Sequence, residues 1–152
     1  MNFLIRPLQL EQDLHAIHAF TTQLGYFTTV ENIQQRWQRI HQDANYLTLV
    51  VEHEQQVIGY AGLIQEYTWE FDGGYLRIQA FVVNQAHRGQ GVGKSFIATI
   101  EELAKQRDLK LIQVNSGNRE ERLTAHAFYK NLVFDAYSID FSEISGLISL
   151  LR

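Results

Sequence analysis

Between Tyr46 and Val83 three strand-like runs follow one another with no helical pattern between them: "YLTLVVEH", "QVIGYAGLIQEY" and "YLRIQAFVV". The polar "EQQ" separates the first two, which makes them a β-hairpin pattern, and the turn-rich "TWEFDGG" leads into the third. The flanks read differently. Ahead of this meander stand a short strand, "NFLIRPL", and two helical patterns. In "LEQDLHAIHAFTTQL" Leu10, Leu14, Ile17 and Phe20 recur at helical spacing and Gly25 ends the run. In "TTVENIQQRWQRIHQ" Thr29 is the expected N-cap, and Val30, Ile33, Trp37 and Ile40 share one face. Behind the meander come an amphipathic helix, "VGKSFIATIEELAKQ", a buried-type strand, "LKLIQVN", a helix, "REERLTAHAFYKNL", and a closing strand or pair of strands, "VFDAYSIDF". The last residues, "SEISGLISLLR", fit strand or helix equally. This order matches neither an alternating βαβ array nor an antiparallel sandwich. A mixed sheet with helices packed on it is the expected solution.

Composition narrows the class. A chain of 152 residues, 45% hydrophobic and 20% charged, is expected to form one soluble domain over 1–152. Its formal charge of −4 offers no excess of positive charge for nucleic acid or an anionic membrane, so neither is expected as a partner. The absence of cysteine removes disulfides, thiolate nucleophiles and cysteine metal sites together. No metal site is expected. No signal-peptide pattern and no membrane-length apolar run is found, so the expected location is the cytoplasm.

One stretch carries chemistry: "HRGQGVGKS", His87 to Ser95, placed between an apolar strand and a helix. Its end, Gly93-Lys94-Ser95, is like that of a nucleotide-binding P-loop, but that motif needs a glycine at position 88, which is Arg. A dinucleotide fingerprint needs G-x-G-x-x-G, whereas Gly89, Gly91 and Gly93 give G-x-G-x-G. Arg88-Gly89-Gln90-Gly91-Val92-Gly93 satisfies a third pattern, R/Q-x-x-G-x-G/A. Glycines let backbone amides approach an anion closely, and the helix that follows presents its unpaired N–H groups and positive dipole end. Lys94 and Ser95 add a charge and a hydroxyl. The loop reads as a diphosphate cradle; the plain alternative is a glycine-rich connection without a ligand.

That third pattern is the coenzyme A pyrophosphate loop of GNAT-type N-acetyltransferases, and the stretch "LRIQAFVVNQAHRGQGVGKSFIATIEELAKQ" resembles that superfamily's core. Downstream, "LIQVNSGNREERLTAHAFYKNLVF" resembles the family's next strand and tyrosine-bearing helix; upstream, "LIRPLQLEQDLHAI" is similar to its first strand and helix. The resemblance covers the whole chain and implies a mixed, mostly antiparallel sheet of six to seven strands flanked by about four helices. A splayed parallel strand pair would hold the cofactor. It implies acetyl-CoA as cosubstrate, bound by Arg88 to Ser95 and by the backbone of Phe81, Val82 and Val83, and transfer to a primary amine by direct attack in a ternary complex. Tyr129 matches the tyrosine that protonates the departing thiolate. Homodimers are common in the family, and "ISGLISLLR" could serve one or could close the monomer's own sheet.

Some positions depart from the pattern. Gln79 stands where many relatives carry a glutamate base, and an amide cannot accept the substrate's proton. Glu66, ahead of Glu70 and Asp72, is the substitute considered, acting through water. His87 and His126 are further titratable groups, expected beside the pyrophosphate and on a helix surface. Arg122 and Val133 replace an asparagine and a glycine frequent in relatives. The acceptor pocket would draw on "LGYFTT" and "EYTWEFDGG", with Tyr26, Phe27, Tyr67, Trp69 and Phe71 beside acidic groups. That wall suits a small-molecule or peptide amine with an apolar body. Gln79 also keeps open a second class, a catalytically weak or inactive CoA-binding or partner-binding protein of the same fold.

Overall fold

The structure, a computed structural model, describes residues 2–70, 72–109, 111–116, 135–139 and 146–151. Its elements are β1 (Leu4–Pro7), α1 (Leu10–Gln23), α2 (Val30–Ile40), β2 (Tyr46–His53), β3 (Gln56–Tyr67), β4 (Gly74–Val83), α3 (Val92–Gln106), β5 (Leu111–Ser116), β6 (Asp135–Ile139) and β7 (Gly146–Leu151). The predicted helix "REERLTAHAFYKNL", with Arg122, His126 and Tyr129, lies outside the described residues, as does Val133. The chain divides into two compact units, Met1–Leu63 with Ala80–Thr99 and Ile64–Gln79 with Ile100–Arg152.

In the first unit the strand order is β1-β2-β3-β4. β1 and β2 are antiparallel, from Leu4 opposite Glu52 to Pro7 opposite Leu49. β2 turns into β3 through Glu54 and Gln55, both left-handed at φ 49 and 65. Two successive positive φ values are what a two-residue hairpin turn needs to match the strands' twist. α1 stops as its sequence implies: Gly25 takes φ +94 and Tyr26 N–H bonds back to the Thr21 carbonyl at 3.2 Å. α2 starts at Thr29, whose hydroxyl accepts from Asn32 N–H at 3.2 Å. These helices bury Ile17, Phe20 and Ile33 against Val50, Tyr60 and Val82.

A charge cluster ties β1, α1 and β2 together. Arg6 donates to both oxygens of Asp13, at 2.8 and 2.9 Å, and through Nε to Glu52 at 2.9 Å. Asp13 also accepts the Gln9 amide at 2.8 Å. Burial by itself would push the Asp13 carboxyl up; the bonds from Arg6 and Gln9, with the guanidinium charge, outweigh it and hold the group below its usual range.

In the second unit the order is β3-β4-β5-β7-β6. β4 and β5 run parallel, from Tyr75 opposite Leu111 to Ile78 opposite Val114. The C-terminal segment, ambiguous in the sequence, is strand β7. It pairs antiparallel with β5 on one edge, Leu111 opposite Leu151 through Ser116 opposite Gly146, and with β6 on the other. α3 buries Val92, Phe96 and Ile97 in the first unit and Ile100 and Ala104 in the second. It ends without glycine: Asp108 takes φ 56 and Leu109 N–H bonds to the Ala104 carbonyl at 2.8 Å. No helix among the described residues is long and apolar enough to cross a membrane.

Candidate functional site

β4 leads into the glycine loop through one short 3-10 turn, Gln85–His87, capped by the Asn84 side chain accepting from Ala86 N–H at 3.0 Å. In the loop Gly89 takes φ +74 and Gly91 φ +82, and a Cβ at either would meet no heavy atom within 4 Å. Backbone conformation, rather than crowding by the described residues, is therefore what demands glycine here. The first helical bond of α3 runs from Ser95 N–H to the Gly91 carbonyl at 3.0 Å. The amides of Val92, Gly93 and Lys94 precede it and have no helical carbonyl to meet. No acidic side chain occupies the first turn of α3, and Lys94 is exposed there. Backbone donors, a positive dipole end and a cation without a competing carboxylate make an anion receptor.

The same unit places the strand residues beside this loop. Phe81 packs on Phe96 of α3 with ring centroids 5.3 Å apart, and Val82 belongs to the core under α1 and α2. A Cβ at Gly59 would stand 2.4 Å from the Val82 carbonyl oxygen, so that carbonyl points towards β3. Alternation along a strand sends the Val83 carbonyl the other way. There it accepts from Arg88 Nε at 3.1 Å and from Gln23 Nε2, at the end of α1, at 3.4 Å. Arg88, read from the sequence as a phosphate ligand, is thus also a strut between loop and strand. Gln90 ties the loop back in the same way, donating to the Ala86 carbonyl at 3.1 Å. His87 stands edge-on to His53, centroids 6.0 Å apart, and its buried Nδ1 meets no partner among the described residues.

The second unit holds Glu66, at the end of β3. Its carboxylate accepts from the Tyr75 hydroxyl and from the Arg77 guanidinium. Burial, followed by the bond to Glu66 and its charge, pushes the Tyr75 phenol up to about 12. Tyr75 and Arg77 are alternate residues of β4, and the next on that face is Gln79, which is exposed. Sequence reasoning missed both partners; their two-residue spacing across a hairpin from Glu66 is the signal that could have found them. Beyond Glu66, Tyr67 and Trp69 are exposed, and the Tyr67 hydroxyl accepts from Gln65 at 2.9 Å, itself held by Arg107 at 3.0 Å. Tyr26 and Phe27 are exposed on the first unit, Glu70 and Asp72 on the second; Phe71 lies outside the described residues. The structure therefore brings Phe81 to Val83 together with Arg88 to Ser95, and places Glu66 in a cluster of its own.

The sequence model of the Acetyltransferase (GNAT) family matches residues 11–134. The chain belongs to that family. A GNAT family acetyltransferase from Staphylococcus aureus is 30% identical, with 78% of this chain and 90% of that one covered at a TM-score of 0.70. A transcriptional regulator from Bacillus halodurans reaches TM-score 0.81 at 21% identity over 93% of this chain and 98% of its own. The paia N-acetyltransferase of Thermoplasma acidophilum, solved in complex with coenzyme A, is similar at TM-score 0.75 and 15% identity over 100% of both chains. No curated protein matches. The GNAT fold accounts for the mixed sheet, and the general chemistry that goes with the family is acetyl transfer.

Proposed function

We propose that the chain is an N-acetyltransferase that moves an acetyl group from acetyl-CoA to a primary amine by direct attack in a ternary complex. The observation that carries this reading is the loop at the start of α3: two left-handed glycines open to solvent, Gly89 and Gly91, leading into a helix end with a lysine and no acid. Its donor set fits a diphosphate. Acetyl-CoA supplies an activated thioester carbonyl; the rest is work for this chain's own groups. Amides of Val92 to Lys94 and the Lys94 and Ser95 side chains hold the diphosphate, and Arg88 fixes the loop to the end of β4. The backbone of Phe81 to Val83 pairs with the pantetheine arm as an added strand would, and a main-chain N–H of that segment faces the oxyanion formed when the amine attacks.

Tyr129 is assigned the proton for the departing thiolate, on the family resemblance; an ordinary phenol, with a pKa near ~10, is protonated at neutral pH. Glu66 is assigned the proton of the incoming ammonium, taken through water. Its carboxylate is already engaged by the Tyr75 hydroxyl and the Arg77 guanidinium. That engagement, with an amide at Gln79, favours a second reading in which the chain binds CoA and turns over little.

Titration calorimetry with CoA and acetyl-CoA, paired with thiol release across an amine panel, tests both. Heat with both ligands and thiol release with an amine are expected. Gly91→Glu, which puts a strained backbone and a carboxylate in the receptor, is expected to weaken CoA binding by more than about tenfold. Binding without turnover on a broad panel selects the second reading. No heat with either ligand refutes both.

A further inference from the structure

Within the first unit, next to the glycine loop, lies a pair of imidazoles that the coenzyme A pattern does not account for. His87 closes the 3-10 turn Gln85–His87, and the next residue, Arg88, opens the loop. Its ring stands edge-on to that of His53, the last residue of β2, with centroids 6.0 Å apart. His53 is fixed in turn. Its Nδ1 lies 2.6 Å from the Asn2 carbonyl, and because a carbonyl only accepts, that nitrogen carries the hydrogen. Nε2 is left as the place for a further proton, and the Glu54 carboxylate stands 3.9 Å from it. On His87 it is Nδ1 that is buried without a partner among the described residues. Of the other charged groups close by in the chain, Glu52 is committed to Arg6, and the loop supplies only cations, Arg88 and Lys94.

Imidazole is the side chain whose ordinary change of charge falls between pH 5 and 8. Two such rings edge to edge hold one proton more readily than two, since like charges repel. A diphosphate on the receptor brings negative charge to the residues that directly follow His87, and a proton on the pair then answers it. We infer that His53 and His87 are positioning residues for the cofactor: His53, anchored on Asn2, props the ring from which the loop starts, and the pair takes up one proton when the diphosphate binds. This rests on the coenzyme A reading and adds a regulation of that same site, tighter cofactor binding as pH falls from 8 to 6.

The probe is dephospho-CoA, whose diphosphate stays fully ionised across that range and which lacks the monoester that would titrate by itself. Calorimetry in buffers of different ionisation enthalpy reads both affinity and proton uptake. The parent is expected to bind about threefold to tenfold more tightly at pH 6 than at pH 8, with net uptake of a proton. His87→Phe keeps a ring against His53 without a titrating nitrogen; His53→Gln keeps a donor for the Asn2 carbonyl without the ring. Each is expected to reduce the uptake and the pH dependence, and the two together to abolish them. A purely structural role would weaken binding equally at both pH values. That outcome, or an affinity in the parent that does not change with pH, overturns the inference and leaves coenzyme A binding standing. Nitrogen NMR of the imidazole rings in the parent, free and loaded, needs no substitution: rings of His53 and His87 that keep their protonation state on loading also overturn it. No heat at any pH overturns the inference and the coenzyme A reading together.

Discussion

Replacing Asp13 by Asn should cost far more than a one-atom change suggests. Asp13 is 1% exposed and its carboxylate takes three donors, two from Arg6 and one from the Gln9 amide, at 2.8 to 2.9 Å. Asparagine keeps the volume but offers one oxygen where the carboxylate offered two. Its NH₂ then faces donors. Removing one member of a buried ion pair costs roughly 3–5 kcal/mol, because the partner charge stays buried. Arg6 retains Glu52, so the lower end, about 3 kcal/mol, is expected. In a chain of this length that corresponds to a Tm lower by about 6–12 °C. Glu52→Gln, at the more exposed end of the cluster, should cost about 1 kcal/mol or less.

The sign of the pH dependence follows from the same geometry. Asp13 is held below the usual aspartate value of 3.8, so its contribution is present above that value and is lost as pH falls through the lower folded-state pKa. The gap between parent and Asp13→Asn should therefore close in acid. Urea unfolding followed by circular dichroism, at pH 7 and in steps to pH 3, reads both effects. A variant within about 1 kcal/mol of the parent at pH 7, or a gap that stays constant into acid, would show that the cluster does not work as described.

Two further substitutions probe β4 from opposite ends. Gly59→Ala puts a Cβ 2.4 Å from the Val82 carbonyl oxygen and 3.2 Å from Val83 Cα, so backbone must move at the strand proposed to hold pantetheine; about 1–3 kcal/mol of stability and weaker CoA binding by calorimetry are expected to go together. Gly62→Ala, whose nearest neighbours are 3.6 and 3.9 Å away, is the matched control and should leave both close to parental. Tyr75→Phe removes a phenol raised to about 12, whose contribution to stability is present below the unfolded value of 10.0 and is lost as pH rises towards 12. The parent should lose stability across that alkaline window and the variant should lose less, as read by unfolding at stepped pH.

Features whose cause is local were legible in the sequence. Thr29 caps α2 because its hydroxyl reaches an amide three residues on, Gly25 ends α1 because only a left-handed residue closes the helix there, and the glycine loop follows directly from its spacing. Two turns of atypical chemistry were placed by their flanks instead: Glu54–Gln55 makes a tight hairpin turn without Asn, Asp or Gly, and Asp108 follows α3 where glycine is usual, yet the polar "EQQ" between two strand patterns and the end of the helical periodicity mark both. The tail "GLISLL" is too short and too uniformly apolar to separate strand from helix; pairing with β5 and β6 decides it. Tyr75 and Arg77 were hidden for a different reason: their importance depends on Glu66, across a hairpin whose register no single segment specifies.

The Val83 carbonyl carries the point into function. Gln23, at the end of α1, reaches it from sixty positions away, and nothing in α1's periodicity marks that residue as more than a solvent-facing amide. Arg88, by type and place, reads as a charge for a phosphate. Its Nε is nevertheless committed to the strand, so a diphosphate would meet the terminal guanidinium nitrogens, held at a fixed angle by the bond to Val83. A lysine at 88 would bring the charge without that fork and would leave the carbonyl to Gln23 alone. The loop's first residue therefore makes an internal bond that the motif does not announce, beside the phosphate contact proposed for it.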